Sequence, residues 1–167
     1  TVKLDALSPR LTLLARALTG KNIDVLPAEN EGGWKDEAFY LPAAFSKLST
    51  VEQNLYFYLF RVVYLSIQSR ENLNWHTKTT SKSLDDSRRK AEETGPQVLQ
   101  VMEDEFPAVA QFFYEVKPHF ETQTCNPKSR PELFWLFGKY MVNKGLNAPP
   151  ASASPDGDAA GTNPHSP

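Results

Sequence analysis

The sequence predicts a mainly α-helical domain with one small β-hairpin and a disordered tail. Three observations carry this. Apolar residues recur at helical spacing in several windows, each opened by a cap or a proline. A Glu-Gly-Gly turn separates two short β-rich runs. The composition changes abruptly after Leu146. Counting the periodic windows gives about five to six helices over residues 1–146.

The first helix is expected over 9–19. Ser8 caps it, Pro9 fits its first turn, Leu11, Leu14, Ala15 and Leu18 share a face, and Gly20 stops it. The run Ile23-Asp-Val-Leu26 is short and β-branched, closed by Pro27. After Glu29-Asn-Glu-Gly-Gly33, a second extended run, Trp34 and Glu37–Leu41, ends at Pro42. Together they read as a hairpin near 23–41, which must lie on the helices because two strands are not stable alone.

Thr50-Val-Glu-Gln53 is a capping-box pattern that opens a long helix to about residue 72. Val51, Leu55, Tyr58, Leu59, Val62 and Leu65 mark one broad face. Phe57, Phe60, Tyr64 and Ile67 extend it most of the way round, so this helix belongs at the centre of a bundle. Arg61 lies near its middle, and no window reaches the roughly 18 apolar residues of a membrane-spanning helix.

Residues 74–82 read as a loop. A helix follows from about Ser83, with Leu84 and Ala91 as its sparse apolar contacts, and Thr94-Gly95-Pro96 is expected to break it. Pro96 starts another, with Val98, Leu99 and Met102 inside. Phe106-Pro107 begins the next, with Val109, Phe112, Phe113 and Val116, ended by Lys117-Pro118. Residues 119–130 read as a loop. Ser129-Arg-Pro-Glu132 restarts a helix carrying Leu133, Phe134, Leu136, Phe137 and Tyr140, which stops at Asn143-Lys-Gly145. Residues 147–167 hold five of the thirteen prolines and no large hydrophobe. Such a segment cannot bury enough apolar surface to offset chain entropy, so a disordered linker or tail is expected, leading to a further domain.

Composition narrows function. A 40% hydrophobic and 23% charged chain reads as soluble and globular, and 167 residues can bury a core without cross-links. A net charge of −2 gives no general attraction to nucleic acid or anionic lipid. The one cysteine, Cys125, cannot form an internal disulfide and reads as an incidental loop thiol; a reducing, cytoplasmic setting is expected. His76, His119 and His165 lack a second metal ligand at helical spacing. Lys78, Lys82, Arg88, Arg89 and Lys90 form a basic segment diluted by Asp85, Asp86, Glu92 and Glu93, and read as a solvated face. Glu103-Asp-Glu105 reads as an exposed acidic helix end. No Gly-rich phosphate loop, nucleophile–base pair or metal motif is present, so neither an enzyme nor a cofactor is expected. In Glu31–Pro42, an edge strand beside Trp34 offers a place for a partner's strand.

Ser8–Gly20, Gly32-Gly-Trp-Lys-Asp36 with Phe39-Tyr-Leu-Pro42, and Asn54–Gln68, in that order, resemble the amino-terminal region of NorD-type proteins, the nitric oxide reductase activation proteins related to the CbbO rubisco-activation subunit. The resemblance covers about residues 8–70. It implies a helical amino-terminal domain, a linker and a carboxyl-terminal von Willebrand factor A domain. It also implies a MoxR-type AAA+ ATPase partner that the adaptor tethers to a client such as a metalloenzyme. The sequence has no Asp-x-Ser-x-Ser motif and no Walker motif, so ATP hydrolysis would belong to the partner. Helix, hairpin and long helix is also the order in zincin peptidases, but Leu59–Ser66 contains no histidine where a zincin carries His-Glu-x-x-His.

The expected function is therefore non-catalytic protein binding, with anchors among Trp34, Tyr40, Arg61 and Trp75. The alternative is a self-standing helical interaction module, such as an effector or regulator.

Overall fold

Thr50 opens the helix on which the rest of the chain packs. In the computed structural model, which describes residues 1–76, 80, 82–122 and 132–144, the Thr50 side chain accepts a hydrogen bond from the Gln53 amide. That satisfies one of the orphan N–H groups of a helix start. Helix α2 (Val51–Arg70) follows, and from Phe57 to Ser69 every side chain except Leu59 is buried. A helix apolar on all sides belongs in the interior. It contacts α1 (Ser8–Thr19), α3 (Leu84–Glu105), α4 (Pro107–Thr122) and the short α5 (Phe134–Phe137). Phe60 meets Tyr64, Phe112 and Phe113, and Phe137 closes the cluster against Tyr64 and Phe113. Among the described residues, no helix is long and apolar enough to cross a membrane.

The mainly helical expectation holds, but the β structure is richer than one hairpin. Strands β1 (Val2–Lys3), β2 (Asp24–Ala28), β3 (Gly33–Lys35), β4 (Ala38–Pro42), β5 (Ala44–Phe45), β6 (Trp75–His76) and β7 (Val142–Asn143) form three small sheets. The run at 23–26 does become a strand, yet β2 pairs parallel with β4, Val25 opposite Phe39. The hairpin joins β3 to β4 instead, turning at Asp36-Glu37 with Asp36 at a φ of 53°. Gly32-Gly33 is therefore not the hairpin turn. It is a close crossing: Gly32 has a φ of 67°, and a Cβ there would lie 2.1 Å from the Tyr40 carbonyl oxygen. β1 pairs antiparallel with β5, and β6 parallel with β7.

Four helix boundaries also differ. Ser8 is the first helical residue of α1, not its cap, though Pro9 keeps its place in the first turn and Gly20 ends the helix. Helix α3 runs unbroken through Thr94-Gly95-Pro96, because Ala91 before the proline and Val98, Leu99 and Met102 after it all face the core. Helix α4 likewise passes Pro118, held by Val116 and Phe120, and so includes 119–122, expected as loop. The last expected helix shrinks to α5. Gly138, at a φ of 71°, ends it, and the next amides find partners elsewhere: Lys139 N donates to Gly32 O and Tyr140 N to Ser87 O. The expected tail 147–167, Cys125 and His165 lie outside the described residues.

Gly95 shows why the α3 break is overruled. A Cβ there would sit 2.7 Å from the Phe137 ring. Glycine in a helix normally costs about 1 kcal/mol against alanine. Here the ring occupies the space, so Gly95→Ala should lower stability by about 1–3 kcal/mol instead of raising it. Urea unfolding measures this, and a higher midpoint would mean that Phe137 steps aside without cost.

Candidate functional site: a lysine-rimmed cleft

Asp36 sits in the tight β3–β4 turn. The Asn143 side-chain oxygen accepts from its backbone amide, and the Lys144 amide donates to the Asp36 carboxylate. Asn74 is buried and bridges two segments. Its Nδ2 donates to the Trp34 carbonyl, and its Oδ1 accepts from the Met141 amide at 2.8 Å. With the Lys139–Gly32 bond at 3.0 Å and the β6–β7 pairing, residues 138–144 form a strap between β3 and β6. The β3 edge, expected to be open to a partner's strand, is thus flanked by the chain itself.

The strap completes a cleft of about 590 Å³. Lys139 and Lys144 come from the strap, Lys35 from β3 and Lys82 from the approach to α3. Trp75, Leu84, Met141 and Val142 supply apolar surface. The Trp75 ring meets Tyr140 edge-on at 5.4 Å, and the Lys82 ammonium lies 5.5 Å from the Trp75 ring centroid. The Tyr140 hydroxyl donates to Thr94 Oγ1 at 2.9 Å, and burial raises the Tyr140 pKa. Among the described residues, no carboxylate, imidazole or thiol lines the cleft. Asp86 and Glu93 line a smaller adjoining hollow of about 210 Å³, where Arg89 and Lys90 already face them at 3.1 and 3.5 Å. Four cations with no lining anion among the described residues make this a local positive site on a chain of net charge −2, with the Asp36 carboxylate held on the Lys144 amide.

A buried charge cluster lies in the interior. Glu31 has no exposed surface, and Arg88 grips its carboxylate through Nε and Nη2, the latter at 3.0 Å. The Arg88 guanidinium rests 3.8 Å from the Phe134 ring centroid. Arg61 is also fully buried. Its Nη1 donates to the Trp135 carbonyl at 3.0 Å, while Nε and Nη2 have no partner among the described residues. Burial pushes its pKa down to about 10, and the Glu31 carboxylate pulls it back up. The side chain stays cationic at neutral pH.

Tyr58 and Tyr64 set an alkaline limit. The Tyr58 hydroxyl donates to the Pro42 carbonyl at 2.7 Å, and burial pushes its pKa from 10.0 up to about 12 against the pull of Arg61. Burial raises Tyr64 too. A raised folded pKa gives stability that is whole below the unfolded value and is lost as pH rises through the folded one. The lowered pKa of Arg61 acts with the opposite sign over the same range. With Tyr140, also raised by burial, three phenols oppose one guanidinium, so stability falls as pH rises above about 10. The urea midpoint should hold level up to about pH 10 and fall beyond it. A level midpoint well above that would show the phenols ionising in the folded state.

The four residues singled out from sequence do not converge. Trp34 and Arg61 are in the interior, beyond a partner's reach in the folded domain. Tyr40 is half-buried on β4. Trp75 alone lines the cleft, and sequence reasoning missed Lys35, Lys139, Lys144 and Tyr140. Of the basic segment, Lys82 joins the cleft, Arg88 holds Glu31, and Arg89 and Lys90 pair along the helix face; Lys78 lies outside the described residues. In the acidic run, Glu105 takes a two-point contact from Arg70 at 3.0 and 2.9 Å, and Glu103 accepts from Tyr114. His119 Nε2 lies 2.6 Å from the Lys47 carbonyl. Among the described residues, no group of three or more His, Cys, Asp or Glu side chains is placed to hold a metal ion.

Comparison with protein-family models, with curated proteins and with solved structures finds no match.

Proposed function

We propose that this chain is a non-catalytic protein-binding domain of a cytoplasmic adaptor, which couples a MoxR-type AAA+ ATPase to a client protein. The observation that carries the binding part is the cleft: four lysines around an apolar and aromatic floor, with no carboxylate, imidazole or thiol lining it among the described residues. Acid–base or nucleophilic chemistry needs such groups within hydrogen-bond reach of a substrate. Docking needs an apolar anchor site and a polar rim, which is what the cleft supplies. The ATPase and client part rests on the order of the segments 8–20, 32–42 and 54–68. In this reading those segments form the scaffold: α1, the β3–β4 hairpin and α2 hold Trp34 and Arg61 inside and present Lys35 at the surface of the cleft.

The test is capture of the cognate MoxR ATPase by the immobilised chain, with and without ATP. Binding in at least one nucleotide state is expected. Absence of binding in both would remove the ATPase as partner.

A further inference from the structure

The lysine-rimmed cleft sorts its ligands by more than charge. We propose that it takes an acidic peptide segment of the partner protein, one that carries a leucine or aromatic anchor between its carboxylates. This rests on the protein-binding reading above and names the chemistry of the partner.

Three features favour that occupant over a small phosphate compound. First, among the described residues no arginine and no glycine lines the cleft. Tight phosphate sites use forked guanidinium groups or glycine-rich turns that aim several amides at one point. Lysine is a point charge on a flexible stem that meets carboxylates at varied positions along a chain but supplies none of the forked, two-point grip of a guanidinium. Second, the floor is apolar and accessible. Leu84 is 44% exposed, and Met141 and Val142 are half-buried in the same cleft. A phosphate would leave that surface wet, whereas a peptide side chain covers it. Third, Lys82 rests over the Trp75 ring, so an incoming carboxylate and an incoming apolar side chain draw on the same pair. The carboxylate takes the ammonium and the anchor takes the ring face. Of the neighbouring acids, Asp86 and Glu93 face Arg89 and Lys90, with Asp86 also feeling the Lys82 charge, and the Asp36 carboxylate accepts from the Lys144 amide.

Titration calorimetry on the full chain tests this with five probes. They are a short peptide of glutamates flanking a central leucine, the same peptide with glutamine for glutamate, the same with serine for leucine, tripolyphosphate, and a peptide of lysines flanking leucine. The glutamate–leucine peptide should bind. Its affinity should fall about tenfold or more when ionic strength rises from about 0.05 M to about 0.3 M. The glutamine and serine versions should each bind about tenfold more weakly. Lys82 and Lys144 are exposed, so Lys82→Glu/Lys144→Glu should still fold, with at most a small drop in melting temperature from the lost Lys82–Trp75 contact and the new carboxylates near Asp86 and Asp36. It should lose the glutamate peptide and gain the lysine peptide. That gain separates lost charge from lost fold. Equal binding of the glutamine peptide, or an undiminished double variant, would overturn the proposal. Tripolyphosphate binding as tightly as the peptide would overturn it in favour of a phosphate site. The ATPase capture is repeated with the same variant. If the variant loses the peptide but keeps the ATPase, the cleft is not where the ATPase docks, and the adaptor reading stands without it. If the wild-type chain binds the peptide but not the ATPase, the adaptor reading fails and the peptide site stands.

Discussion

Glu31→Gln is expected to lower the stability of the domain by about 3–5 kcal/mol, the range for breaking a buried ion pair by removing one partner. Glutamine keeps the shape of the side chain but removes the charge that holds Arg88 and opposes the burial penalty on Arg61. Arg88 is about a quarter exposed and can turn its charge to water, its side chain being 26% accessible. Arg61 has no such exit: it is fully buried and its described hydrogen bonding is the single bond to the Trp135 carbonyl. The loss should therefore fall mainly on Arg61, and a second variant isolates it. Arg61→Met removes the buried cation and keeps most of the volume. Its own effect should stay within about 1.5 kcal/mol, since Glu31 retains Arg88. In Glu31→Gln/Arg61→Met the damage should be much smaller than in Glu31→Gln alone. Urea midpoints at constant slope give all three numbers. Additive effects in the double variant would break the proposed coupling.

Arg61 also marks the limit of what the sequence discloses. Its place in α2 was legible, because Thr50 and Gln53 fix the helix start and a long apolar run without glycine or proline follows. Both signals are local. Its neighbours were not legible: Glu31 and Trp135 approach from distant segments, and nothing in residues 54–68 points to them. The same division runs through the fold. The run at 23–26 reads as a strand from its own residues, but its parallel partner depends on how 29–37 crosses over. Gly95-Pro96 and Pro118 are strong local breakers, and core contacts on both flanks overrule them. Residues 133–140 keep a helical period, yet Gly138 and the acceptors at Gly32, Ser87 and Asn74 draw the chain into a strap. The cleft inherits that difficulty. Lys139 and Lys144 read as parts of a helix and its stop, and only the extended strap sets them beside Lys35 and Lys82. Trp75 could be nominated because tryptophan is among the residue types that anchor interfaces, whereas lysine, the residue at 35, 82, 139 and 144, is not.

Asn74→Ala is expected to cost about 2–4 kcal/mol and to loosen the cleft before it unfolds the domain. The Asn74 amide is the shared partner of the buried Trp34 carbonyl and the Met141 amide, so truncation leaves one acceptor and one donor unsatisfied. Each such group costs about 1–3 kcal/mol when water cannot replace the lost partner. Water can reach the Met141 amide if the strap lifts, because that bond is only part-buried. Lifting the strap is thus the cheaper response, and it carries Lys139, Met141 and Lys144 away from Lys35 and Lys82. Hydrogen exchange should report faster exchange at amides 139–144, with protection in the middle of α2 retained. Binding of the glutamate–leucine peptide should weaken at temperatures where the domain is still folded. Asn74→Asp is the sharper probe. It keeps an acceptor for the Met141 amide but sets a second oxygen against the Trp34 carbonyl, so it should fail on the β3 side while the strap bond persists. If amides 139–144 stay protected in Asn74→Ala, the strap is held by Gly32 and Asp36 instead, and the cleft owes its shape to the β3–β4 turn.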